Sequence, residues 1–156
     1  MRKNHRMKIE DEIKGRFRNE YHKGTINLIY TVKHLMYQFE RVLKKYGLTE
    51  PQYNILRVLR GYRKDGPLSI GFLKERMLDK NSDVSRIVDK LHAKAYVDRK
   101  ENPDDRRQKE IEITEKGMDL LATMDDCERK TDTLLENLNP EEVMELNALL
   151  DKIRSN

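Results

Sequence analysis

The chain has 156 residues, 37% of them hydrophobic and 38% charged, which suits one domain with helical extensions: enough apolar matter for a core, on helices that keep a large solvated surface. No apolar run approaches the roughly 18–20 residues needed to cross a bilayer, no apolar stretch follows the basic start Met1–Arg6 as a secretory signal would, and the lone Cys127 excludes an intrachain disulfide. A reducing, cytoplasmic setting is therefore expected. The net charge of +4 conceals an asymmetry, with +6 over residues 24–114 and −6 over 115–156, so the body suits a polyanion and the C-terminal third suits something else.

Residues 1–18 read as a basic extension in which Ile9, Ile13 and Phe17 allow a short helix. A long helix is expected from about 19 to 46, on the stripe Leu28, Val32, Leu35, Phe39, Val42 and Tyr46. Gly47 stands where a left-handed residue would end it. Thr49-Glu50-Pro51-Gln52 is a capping box opening a second helix, which Asp65-Gly66-Pro67 breaks. Ser69 caps a short helix, about 70–77. After the turn Leu78–Asn81, Ser82 is read as the N-cap of a helix over 82–94. The inner face of that helix is Val84, Ile87, Val88 and Leu91; its outer face is Asp83, Ser85, Arg86, Asp89 and Lys90.

The pattern then changes to period two. Residues 96–100 and 109–113 read as strands joined by the charged turn Asn102–Arg107. Thr114 caps a helix expected over about 115–137, whose apolar stripe Cys127, Glu128 and Thr131 interrupt. Asn139-Pro140-Glu141-Glu142 starts the last helix, carrying Val143, Leu146, Leu149, Leu150 and Ile153. Two short helices across a tight turn, followed by a basic hairpin, form a winged helix-turn-helix. The fold class is mainly α (α+β winged helix-turn-helix), with a two- to three-stranded antiparallel wing. The expected domains are the extension 1–18, an N-terminal dimerisation helix 19–48, a DNA-binding lobe 49–114 and C-terminal dimerisation helices 115–156.

Three fragments carry a family resemblance over roughly 25–154. Asp105-Arg106-Arg107, followed by Ile111 and Ile113-Thr114-Glu115-Lys116-Gly117, resembles the wing signature of the MarR regulators. Leu48-Thr49-x-x-Gln52 resembles the start of that family's second helix. Ser82-x-Val84-Ser85-Arg86-x-Val88-Asp89-x-Leu91 resembles its recognition helix. The chain departs from the family at Lys74, where a small Ala is common, at the turn Leu78-Asp79, and at Ala95, where Gly is usual. Ala would be strained there if the backbone must turn left-handed.

The resemblance implies an obligate homodimer on a pseudo-palindromic operator, with recognition helices in major grooves and wing tips in flanking minor grooves. It implies that Asp105 stiffens the wing by pairing with Arg107, and that Arg106 or Arg107 enters the groove. The residues themselves allow the same reading. Free N–H groups behind Ser82 can meet a phosphate. Arg86 can bind guanine or neutralise a phosphate, and Asp83 can accept from cytosine or simply cap its helix. Ser85, Lys90, Arg99 and Lys109 complete the expected DNA-binding set, and arginine gains from the negative potential of a narrow A·T-rich minor groove.

Double-stranded DNA and a second copy of the chain are thus the expected partners, and a repressor the expected role. A winged-helix module that binds protein rather than DNA is the alternative. The family often holds a small aromatic acid as effector; Tyr30, His34, Tyr37 and Tyr53 could line such a pocket, and core packing explains them equally well. No enzyme is expected: there is no Ser-His-Asp set, glycine-rich phosphate loop or HExxH, and Asp104-Asp105 lacks a third acidic partner. His5, His22, His34 and His92 show no metal-ligand spacing, so neither metal nor cofactor is expected. Acidic neighbours Asp125, Asp126 and Glu128 disfavour a Cys127 thiolate, which points to an inert cysteine.

Overall fold

A computed structural model describes residues 8–102, 108–125 and 133–155. The chain divides into two compact units, Met1–Gln38 and Phe39–Asn156, with the boundary inside one long helix.

In the first unit, α1 (Ile9–Ile13) packs on the N-terminal part of α2 (Glu20–Lys45). Ile9 is buried, Glu10 pairs with Lys23 at 2.5 Å, and the Tyr30 hydroxyl donates to Glu12 Oε2 at 2.7 Å. The Glu12 carboxylate that accepts this bond favours the neutral phenol and holds the Tyr30 pKa above its ordinary value. The stripe expected to pack along α2 is open here, with Leu28 and Val32 exposed.

The second unit begins at the end of α2, where Phe39, Val42 and Tyr46 of the expected stripe pack half-buried against the core and Leu43 beside them is fully buried. Gly47 is left-handed at φ 67°, and the Leu48 amide donates to Leu43 O while that of Gly47 donates to Lys44 O, a Schellman closure. The box at Thr49 forms as expected: the Gln52 amide donates to Thr49 Oγ1 at 3.4 Å and Gln52 Oε1 accepts from the Thr49 amide at 3.1 Å. It starts α3 (Glu50–Gly61), which buries Tyr53, Ile55, Leu56 and Leu59.

A 3₁₀ turn (Arg63–Asp65) and left-handed Gly66 lead into β1 (Leu68–Ser69), a short strand that completes the two- to three-stranded sheet expected, at a place not read as strand from the sequence. Ser69 then caps α4 (Ile70–Glu75), shorter than expected by two residues. The turn delivers α5 (Val84–Ala93), then β2 (Val97–Glu101) and β3 (Lys109–Ile113). The sheet order is β1-β3-β2, all antiparallel, with Leu68 opposite Ile111 and Val97 opposite Ile113.

Period-two alternation sends Ile111 and Ile113 into the core with Val84, Val88, Leu91 and Val97. Thr114 caps α6 (Glu115–Thr123), which ends well before residue 137, and a 3₁₀ turn covers Thr133–Leu135. Asp125 is helical again after the turn at Met124, and Cys127, Glu128 and Thr131, which interrupt the apolar stripe, lie outside the described residues. The Asn139 box opens α7 (Pro140–Arg154), with both cap bonds at 2.9 Å.

Gly117 has a steric reason for its place. A Cβ there would meet the Tyr96 carbonyl inside any permitted contact and Ile113 Cγ1 at 2.8 Å. Only glycine lets the first turn of α6 sit against the loop before β2. The Thr114 amide and hydroxyl donate to Tyr96 O and Ala95 O at 3.1 and 2.8 Å, locking that junction.

Candidate nucleic-acid interface

The helix pair α4–α5 places its outer surface by burying its inner one. Val84, Val88 and Leu91 are buried, which forces Ser85, Arg86, Asp89 and Lys90 outward, all exposed. Among the described residues no side-chain partner engages Ser85, Arg86 or Lys90. The face therefore offers a hydroxyl, a guanidinium and an ammonium to an incoming polyanion without first breaking an internal bond. Beside Lys90 lies an open groove of about 550 Å³, bordered also by Lys44 and Lys94, which adds positive potential at this end of α5. The Lys94 ammonium donates to Gly47 O at 2.7 Å and so holds the C-terminus of α5 to the end of α2.

The N-terminus of α5 differs from the expectation. The cap is Asp83, not Ser82: the Asp83 carboxylate accepts from the Arg86 amide at 3.1 Å, while the Ser82 amide donates to Asp79 O inside the turn. Both residue types cap well, and a carboxylate gains further from the positive end of the helix. Asp83 is thus engaged by its own helix, and one amide that could have met a phosphate is already bonded.

The hairpin also differs in how its charges are used. Arg99 pairs with Asp89 of α5, Lys100 with Glu112 at 3.3 Å, and Lys109 with Glu101 at 2.7 Å. The Lys109 ammonium, by hydrogen bond and charge, holds the Glu101 pKa below its ordinary value. Asn102 Nδ2 donates to Glu110 Oε1 at 2.7 Å, and its amide closes on Gln108 O. The basic stem is therefore a ladder of internal pairs. The tip residues Asp105, Arg106 and Arg107 lie outside the described residues.

Asp89 is the residue that sequence reasoning passed over. Its place on the outer face states no role by itself, because its partner Arg99 is ten positions away, across the end of the helix, a turn and part of a strand.

Of the expected effector set, Tyr53 is buried in the core of the second unit, edge-on to Phe39 at 5.5 Å between ring centroids. Tyr30, His34 and Tyr37 fall in the first unit, exposed along one face of α2. Among the described residues no cluster of His, Cys, Asp and Glu could hold a metal, and no helix is long and apolar enough to cross a membrane.

A family model described as MarR family matches residues 46–108, from the end of α2 to the hairpin. The regulator MhqR of Bacillus subtilis is 32% identical over 116 residues, 73% of this chain and 77% of that protein. The transcriptional repressor IacR of Pseudomonas putida is 28% identical over 118 residues, 75% of this chain and 69% of that protein. Among solved structures, the S. aureus MepR–DNA complex is similar at TM-score 0.73 and 25% identity, covering 83% of this chain and 95% of that one.

Proposed function

The chain belongs to the MarR family, and from that premise we propose that it is a sequence-specific regulator of transcription, a repressor, binding a pseudo-palindromic double-stranded operator as a homodimer in the cytoplasm. The observation that carries the reading is the face of α5: Ser85, Arg86 and Lys90 are exposed and, among the described residues, their side chains have no internal partner, beside a hairpin whose stem cations are engaged elsewhere. Sequence readout falls to Ser85 and Arg86, and phosphate attraction to Lys90. At the wing tip the family resemblance implies that Arg106 or Arg107 enters the flanking minor groove, with Asp105 paired to Arg107. The names of the repressor IacR and of the MepR–DNA complex support this direction.

The dimer follows from surface left uncovered. In the first unit Val32 is 49% exposed, and in the second Met144, Leu149 and Ile153 are 72%, 52% and 60% exposed along α7. Apolar helix faces of this kind are covered most simply by a second copy related by a two-fold axis, which also presents two reading helices about one DNA turn apart, ~34 Å. A small aromatic acid as effector, contacting Tyr30, His34 and Tyr37, belongs to the same reading. Tyr53 has its place in the core without any ligand. No observation favours the protein-only interaction module.

The test is selection of bound duplexes from a random pool, followed by titration at fixed salt. The wild-type chain should enrich a two-fold motif, and Arg86→Ala should weaken its binding by roughly 1–3 kcal/mol per half-site. Failure to enrich any duplex motif refutes the reading.

A further inference from the structure

We propose that Asp89 and Arg99 form a positioning clamp that sets the angle between the reading helix and the wing, so that Arg99 serves DNA recognition without touching DNA. The proposal rests on the regulator reading and goes beyond it by naming what aligns its two reading elements.

Asp89 and His92, three residues apart on α5, share a helix face. Arg99 and Val97, two apart on β2, share a strand face. The structure joins them in order. The Arg99 guanidinium pairs with the Asp89 carboxylate, and the His92 ring bonds Val97 O through Nδ1 at 3.0 Å. Two rungs about 6–7 Å apart along the strand brace the stem against the helix, where one alone would leave a pivot.

Past Arg99 the bracing continues between β2 and β3 through Lys100–Glu112 and Lys109–Glu101, and at the end of β2 through Asn102–Glu110, so an angle set at Arg99 is carried toward the tip. Charge argues the same way. Asp89 stands between Arg86 and Lys90 on the face that meets DNA, where a bare carboxylate would repel phosphate. Arg99 neutralises it and is itself held away from the backbone.

The two roles open to Arg99 predict opposite signs. If Arg99 were a phosphate contact, removing the Asp89 charge would free it and tighten binding to every duplex. If the pair is a clamp, Asp89→Asn loosens the wing, and the loss appears as failure to discriminate between flanks.

The experiment uses the full-length protein and the duplex selected above, made with A·T-rich or G·C-rich flanks around the same half-sites. The readout is the ratio of the two affinities, in which a uniform gain or loss of one charge cancels. Asp89→Asn and Arg99→Gln should each lower that ratio by about tenfold, the scale of one mismatched base pair. The double variant should fall no further, and Arg99→Lys should retain most of the ratio. The salt slope of Arg99→Gln should equal that of the wild type.

The clamp is overturned if Arg99→Gln weakens both duplexes equally with a slope smaller by about one per copy, or if Asp89→Asn leaves the ratio intact. Melting curves separate these outcomes from unfolding; the side chains are 57% and 36% exposed, so the folded state should withstand either change. If the wild-type chain binds neither duplex, the regulator reading itself has failed and takes the clamp with it.

Discussion

Ala95→Gly should stabilise this protein, and Gly47→Ala should destabilise it, for one shared reason. Both residues sit at the left-handed position of a Schellman closure, Gly47 at φ 67° after α2 and Ala95 at φ 58° after α5. At the second site the Tyr96 amide donates to Leu91 O at 3.0 Å and that of Ala95 to His92 O at 2.8 Å, the same pair of bonds that Leu48 and Gly47 make. An L-residue in this conformation costs about 1–2 kcal/mol. Glycine returns about 0.4–1 kcal/mol of that through the greater freedom of its unfolded chain. The net expectation is about 0.5–1 kcal/mol of gain for Ala95→Gly and a similar loss for Gly47→Ala.

Nothing lies within 4 Å of a Cβ added at Gly47, so the loss there is purely conformational. At ~2–4 °C per kcal/mol for a chain of this size, melting temperatures should move by a few degrees in opposite directions. Thermal unfolding followed by circular dichroism, at one protein concentration because dimerisation shifts the midpoint, reads both. If Ala95→Gly lowers the melting temperature while Gly47→Ala behaves as expected, the left-handed turn after α5 is wrong.

Gly117→Ala should cost about 1–3 kcal/mol, because the new methyl group must push α6 away from the Tyr96 carbonyl; a lowered denaturation midpoint would show it. Burial, with Asp79 and Glu40 nearby, holds the Glu50 carboxyl above its ordinary 4.5. The native state therefore binds that proton more tightly than the unfolded chain does, and the stability this confers is present below pH 4.5 and lost as pH rises through the elevated value. Glu50→Gln should accordingly stabilise the protein at pH 7, with the gain vanishing in midpoints measured below that range. Arg106→Ala or Arg107→Ala should weaken operator binding in a titration at fixed salt while leaving the dimer folded. Val32→Glu combined with Leu149→Glu should yield a monomer by light scattering, where the parent chain is a dimer.

The helix starts were legible because caps are local chemistry. Thr49, Ser69, Thr114 and Asn139 each accept from an amide three residues on, a relation that sequence spacing states outright. Ser82 and Asp83 were the exception, since two good caps stood side by side and packing of Val84 chose the second. The inner face of α5 and the alternation of β3 followed from period alone. Strand β1 escaped because two residues carry no periodicity; Leu68 becomes a strand only through Ile111, more than forty positions on.

The engagement of Arg99 and Lys109 was hidden for the same reason. Composition shows a basic hairpin, but whether a cation faces DNA or a neighbouring carboxylate depends on register, and register puts Glu101 opposite Lys109. The sequence did place the outward face of Ser85, Arg86 and Lys90, because burying Val84, Val88 and Leu91 leaves those side chains nowhere else to go.

The most direct measurement is the affinity of the full-length chain for its selected duplex as a function of salt, with Arg86→Gln and Lys90→Gln run beside it. A dimer meeting ~6–10 phosphates should lose about 10³–10⁵ in affinity between roughly 50 and 200 mM salt, and Lys90→Gln should flatten that slope by about one per copy. A response flat in salt, or one that neither substitution changes, would contradict the assignment of DNA to this face of α5.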